Sequence, residues 1–466
     1  MRRGYSTLIL LVVFVTLGLY VYFVELDRPP ASEIPIPPNE SLVDVAAEDF
    51  AHLTITTNGE ETVLEQSEDR NEWRLTAPVT ALADETQVSS ITSALSTLQI
   101  QRVVAEDVVD FTPFGLDAPT VEVGFVTSGG SLTERLLIGD STPTGAERYA
   151  MLADSGRVVL VAAHLDTTFA KSPFDLRNKA ILGFDTSDVD QLEIQSSATS
   201  IRLEKNQNEW QLQEPWDARA DFSTVEGIVG QLSRGQMRAV ISEGSSDKQA
   251  EETTVTDYGL FDPRLTATIR LGSATATLGV GNVAPDGMSY ARDVSRPIVF
   301  TIDSTLVNDL ERAASEYRDK NLFDFRPFNA SRVEIQQADT STVFEKLEAE
   351  DEESGSSWMQ VSPESTEADR TQMDDFLAKL SNLRGESFIE TRDDVTFNEN
   401  SLFLTARIRF NTGGPDEISK EELVILWRSG DMTYGIRGDE PGAAILDTRT
   451  VDDALESLAT LQNQES

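Results

Sequence analysis

The sequence of 466 residues contains no cysteine and only two histidines, His52 and His164. The first absence excludes disulfide scaffolds, thiolate metal sites, cysteine nucleophiles and anchoring through a lipidated thiol. The second leaves little material for imidazole-based metal or triad chemistry. Positive charge is scarce as well: 38 Lys plus Arg stand against 80 Asp plus Glu, a formal net charge of −42, and only eight of the basic residues are lysine. Phosphate repels such a polyanion, which excludes a nucleic-acid binder that lacks a basic patch. An acidic, lysine-poor surface is what a saline exterior would favour through hydration and solubility. The length allows roughly three domains of ordinary size.

Long apolar runs are equally rare. After Arg2 and Arg3, an uncharged stretch from Tyr5 to Val24 is dense in Leu, Val and Phe, and no other segment is comparable. Twenty residues at about 1.5 Å each span about 30 Å, the hydrocarbon thickness of a bilayer. The cationic end predicts a cytoplasmic stub at 1–4, an anchor at 5–24 and the remainder outside the cytoplasm of a bacterial inner membrane. A cleavable signal peptide would need small residues at its end; this run ends in Tyr20-Val21-Tyr22-Phe23-Val24, which suits an interfacial aromatic belt instead. Prolines at 29, 30, 35, 37 and 38 predict an extended linker over 25–45.

Beyond the linker the chain repeats itself. Trp73, Trp210 and Trp358 recur at offsets of 137 and 148 residues, and the dipeptides Ala83-Asp84, Ala220-Asp221 and Ala368-Asp369 follow at the same offsets. Alternating segments around Leu53-Thr54-Ile55, Leu192-Glu193-Ile194 and Val333-Glu334-Ile335 read as strands. After each Ala-Asp pair, apolar residues at three- and four-residue spacing predict a helix, with Asp84, Asp221 and Asp369 as its N-cap. Gln87 and Gln372 are placed to complete capping boxes. Copies one and two share Phe114-Gly115-Leu116 and Tyr258-Gly259-Leu260, then Ile138-Gly139 and Val280-Gly281, then Tyr149-Ala150 and Tyr290-Ala291. They close with Leu176-Arg177-Asn178-Lys179 and Tyr317-Arg318-Asp319-Lys320, a segment for which the third copy has no counterpart. The predicted fold is α+β: three tandem mixed strand and helix units at 46–187, 188–328 and 329–466, the last divergent, in an elongated ectodomain. The acidic insert from Glu348 to Ser357 reads as a solvated loop.

Candidate chemistry is thin. Gly279-Val280-Gly281 is followed by Pro285, Asp286 and Gly287, a turn rather than the helix a dinucleotide site requires. His164-Leu165-Asp166 lacks a nucleophile elbow. Asp185, Asp188 and Asp190 lack the glycine and distal glutamate of a calcium loop. No catalytic residue, metal ligand or cofactor is therefore expected. The recurring basic residues Arg177, Lys179, Arg318 and Lys320 read as ion pairs at joints between units, with a docking site for a partner or anionic ligand as the alternative.

With its N-terminal anchor and repeated Trp-x-Leu, Pro, Ala-Asp, Tyr-Gly-Leu-x-x-Pro, Ile-Gly, Tyr-Ala and Arg-x-Lys-x-Leu segments, the chain resembles the bacterial family catalogued as domain of unknown function 4340. The resemblance implies a membrane-anchored envelope protein whose gene often accompanies permeases of ABC-type transporters. The expectation is a non-enzymatic accessory or scaffold of a membrane complex. Two other classes are retained: an extracytoplasmic ectodomain that binds a solute or cell-wall fragment in an aromatic-lined pocket between units, and a hydrolase with an unrecognised site, for which mutation of His164 is the test.

Overall fold

The computed structural model of the chain describes residues 40–462 apart from 70–71, 131–132, 245–247, 339, 348–355, 391–401 and 413–417. The stub, the anchor, residues 25–39 of the linker and most of the acidic insert lie outside the described residues. Among the described residues no helix is long and apolar enough to cross a membrane. One compact unit ends at Lys179 and holds the first repeat; the other begins at Ala180 and holds the second and third.

Each repeat is built on one nine-stranded sheet, and the three sheets share one topology. With strands numbered along the chain within a repeat, the spatial order is 4-3-2-1-6-7-8-9-5 in all three. The first strands, Phe50–Thr57, Gln191–Ser196 and Ala330–Gln337, sit inside their sheets, antiparallel to a neighbour on each side. Their period-two pattern explains this placement: Leu53 and Ile55, Leu192 and Ile194, and Val333 and Ile335 are buried on one face, while the residues between them are only half-buried. The units are thus mostly antiparallel sheet, more so than the mixed pattern expected from the sequence. The shortfall has a physical cause. Strands as short as Ala81–Leu82 and Ala218–Arg219 carry too few residues to show a period.

The helices Glu85–Ser96, Phe222–Arg234 and Arg370–Ser381 cover one sheet face. In the first repeat Val88, Ile91 and Leu95 enter a core with Leu53, Ile55 and Val123; in the third Met373, Phe376, Leu377 and Leu380 join Val333, Ile335 and Ile408. A smaller cluster forms separately in each repeat, around Phe114 and Tyr149, Tyr258 and Tyr290, or Trp427 and Tyr434. Their ring centroids lie 5.1, 4.5 and 4.9 Å apart. In the third repeat, which lacks the Gly-Leu motif, Trp427 supplies the aromatic partner from within the strand Ser419–Ser429.

The paired glycine motifs of the first two repeats form a latch. Gly115 and Gly259 adopt positive φ (66° and 69°), a left-handed conformation that glycine takes without steric cost. They lie against Gly139 and Gly281 so closely that a Cβ on either of those residues would strike the carbonyl oxygen of Phe114 or Tyr258. An arginine ties down each latch: Arg148 donates to Gly139 O and pairs with Asp166, while Arg264 donates to Gly281 O and pairs with Glu311.

Candidate functional site

The N-cap positions behave alike in the three repeats. Asp84 accepts from the amides of Thr86 and Gln87 (3.0 and 3.1 Å), Asp221 from Thr224 (2.7 Å) and Asp369 from Gln372 (2.9 Å). The capping boxes are not completed: Gln372 Oε1 is buried without a hydrogen bond, and no reciprocal bond is made at Asp84. The tryptophans lie on the third strand of each sheet, Trp210 and Trp358 fully buried and Trp73 half-buried. Trp210 Nε1 donates to Glu226 (2.9 Å), which also receives Lys205 Nζ (2.6 Å), clamping the strand to the helix Phe222–Arg234. Burial resists ionisation of Glu226, yet the bonds from Lys205 and Trp210 hold its pKa below the usual carboxylate range.

The four recurring basic residues lie in four different environments. Arg177 is buried in the first unit, where its backbone pairs with Ala83. Lys179 Nζ reaches the carbonyls of Phe174 and Asp175 (3.4 and 2.8 Å), closing the short helix Pro173–Leu176. Lys320 is exposed, and its carbonyl accepts from Gly385 N (2.8 Å). Arg318 is 3% exposed and belongs to a network between the second and third repeats.

That network holds three arginines and five carboxylates. Arg318 Nη2 donates to Glu440 (2.6 Å), and its guanidinium lies 4.2 Å from the centroid of the Phe388 ring. Arg219 Nε donates to the other oxygen of Glu440 (2.7 Å), and its Nη1 pairs with Asp319 (3.1 Å) and with Asp324. Arg437 pairs with Glu422 (3.0 Å), Asp324 (3.4 Å) and Asp439 (2.9 Å) and donates to Leu322 O (2.9 Å). Glu422 also accepts from the amides of Asp324 and Phe325.

Burial and charge act in opposite directions across this network. Burial pushes the pKa of Asp319 up against the pull of Arg219, and burial pushes Glu422 up too, with Asp324 adding repulsion. Burial also resists ionisation of Glu440, but Arg219 and Arg318 hold it below the usual range. The space left inside is about 10 Å³. This is closed packing. Beside it lies a cleft of about 390 Å³, with Trp210, Phe222, Asp324 and Arg326 among its lining residues.

The partners of Arg318 were not visible in the sequence. Glu440 is 122 residues away, and Arg219 is replaced by Leu82 and Glu367 in the other copies. The only sequence signal was the charge density of Arg437-Gly438-Asp439-Glu440 just after a strand.

The other candidates make local contacts. Asp166 pairs with Arg148 at 2.7 Å, and the carbonyl of His164 accepts from Thr167. His52 Nε2 lies 3.3 Å from Thr54 Oγ1. Asp185 caps a short 3₁₀ turn through Ser187, and Asp190 accepts from Gly272 N (2.8 Å). The Gly279-Val280-Gly281 stretch lies within the strand Ala274–Val283. Among the described residues no group of three His, Asp or Glu is placed to hold a metal ion.

The model of the family described as domain of unknown function DUF4340 matches residues 73–211 and 210–400. Both matches begin at a repeat tryptophan, so the unit they delimit is offset from the sheets and includes a closing segment. No curated protein and no solved structure matches the chain.

Proposed function

Because this chain belongs to the DUF4340 family, whose activity is undefined, we propose from its own residues that it is a non-enzymatic scaffold or accessory of a membrane complex. In this reading the segment at 5–24 anchors it in the bacterial cytoplasmic membrane, with the repeats outside the cytoplasm. One observation carries the proposal: side chains that resembled chemistry in the sequence are spent on construction. The Ala-Asp aspartates cap helices, Asp166 is bound by Arg148, and Asp185 and Asp190 hold backbone amides. A permease of ABC type is the partner implied by the family resemblance. Cross-linking in native membranes followed by mass spectrometry tests it. Recovery of a transporter subunit is expected, and consistent recovery of none would refute the transport assignment.

A second reading, capture of a solute or cell-wall fragment, is favoured by the 390 Å³ cleft, where Phe222 is 51% exposed beside Trp210. Equilibrium dialysis of the full chain against labelled muropeptides tests this reading. Absence of retention up to millimolar concentration would refute it.

A further inference from the structure

In the first two repeats the closing segment lies along the fourth strand and finishes the sheet edge. Asp84 N donates to Leu176 O (2.7 Å) and Asn178 N to Leu82 O (2.8 Å). In the second repeat Asp221 N donates to Tyr317 O (2.7 Å) and Asp319 N to Arg219 O (2.9 Å). The alanine between these contacts is covered in both, at 3% exposure for Ala83 and 8% for Ala220.

The third repeat has the same strand, Thr366–Ala368, paired on its inner side with Ser357–Ser362. By register, Glu367 O and Asp369 N stand where the other repeats receive the closing segment. Among the described residues no segment pairs with them. Ala368 is only half-buried, and Glu364, Glu367 and Asp369 are exposed. An unpaired edge of this kind is a template for an added strand.

We propose that this open edge docks an extended segment of a partner polypeptide, an apolar residue followed by Arg-x-Lys, as an added antiparallel strand. Two features specify the occupant. The same edge is filled by Leu176-Arg177-Asn178-Lys179 in one repeat and by Tyr317-Arg318-Asp319-Lys320 in the next. The three exposed carboxylates along the third edge complement the two basic residues. The inference gives the scaffold reading a point of attachment and rests on that reading for the existence of a partner.

The test uses the full chain and a fluorescent peptide copying residues 314–323, read by anisotropy. Saturable binding is expected. Glu367→Pro should weaken it about tenfold or more, since proline removes an outward amide and crowds the edge without breaking the inner ladder. Because a protein variant can misfold, the peptide is varied too. Methylation of the amide matching Asp319, which faces the edge, should weaken binding by a similar factor. Methylation of the amide matching Arg318, which faces away, should leave it unchanged. No saturable binding, or binding indifferent to both changes, would overturn the proposal. Binding that emerges only when residues after Gln462 are removed would assign the edge to the chain itself and overturn it. Self-association abolished by Glu367→Pro would assign it to a second copy and overturn it equally. No transport component is present, so this result is independent of the cross-linking result.

Discussion

Replacing Glu440 with alanine removes the one carboxylate shared by Arg219 and Arg318. Arg219 keeps Asp319 and Asp324, but Arg318, at 3% exposure, is left among the described residues with only Pro441 O at 3.4 Å and the face of Phe388. Breaking a buried pair by removing one partner costs about 3–5 kcal/mol. The surviving partners of Arg219 place this case at the lower end, about 3 kcal/mol, or about a hundredfold in an equilibrium constant. Global unfolding is a poor readout for a chain of two compact units. Hydrogen exchange at the joint is a direct one. Leu322 N donates to Leu383 O (2.9 Å) and Gly385 N to Lys320 O (2.8 Å), so both amides open when the second and third repeats separate. Glu440→Ala should speed their exchange about a hundredfold. The amide of Leu42, bonded to Leu98 O in the first unit, should not change. Joint amides that stay within about threefold of the wild type would show that the network contributes little there, as buried ion pairs sometimes do.

Gly281→Ala should destabilise the second repeat by about 2 kcal/mol or more, read by hydrogen exchange of its own strand amides, because the new Cβ meets Tyr258 O, whereas Gly227→Ala, in the helix Phe222–Arg234 with nothing within 4 Å, should stabilise by about 0.5–1 kcal/mol. Trp210→Phe should cost about 1 kcal/mol through the lost bond to Glu226, and Lys205→Met in the same background should then cost more than it does alone in a double-mutant cycle, because Glu226 loses its second donor. Glu422 has a folded pKa raised by burial, so its stabilising contribution is present at low pH and lost as pH rises through that value. The stability deficit of Glu422→Gln should therefore narrow between the ordinary carboxylate range and neutrality; a deficit that widens would contradict the assignment. Glu440 has the opposite sign: its contribution is present above the ordinary carboxylate pKa and fades as pH falls through the depressed folded value, so Glu440→Gln should be most damaging at neutral pH.

The repeats were legible because three tryptophans and three Ala-Asp pairs share their offsets, and a helix cap needs only local residues. The glycine latch was half legible. Its motifs stood out, but only the fold brings Gly139 and Gly281 against the Phe114 and Tyr258 carbonyls. Sheet width was underread because strands of two or three residues carry no period, and the fifth strand in sequence joins the far edge beside the ninth. The joint was read from one side only. Arg318 is marked by recurrence, whereas Glu440, Glu422 and Arg437 belong to a single copy, and repetition cannot flag a residue that occurs once.

The shared topology also constrains how the chain is made. In every repeat the first strand must find the sixth across a long intervening segment, as when Phe50 meets Thr127. Such distant pairings set folding times of about milliseconds to seconds. Three sheets of one strand order offer equivalent wrong partners, since the first strand of one copy could accept the sixth of another. Synthesis at about 5–20 residues per second separates successive tryptophans by about 7–30 seconds. Each sheet thus has time to close before the next copy emerges, and refolding the whole chain from denaturant removes that head start. Domain-swapped and aggregated species should be more abundant after dilution from denaturant than after biosynthesis, because the ribosome supplies a temporal order that the three near-equivalent sheets cannot encode.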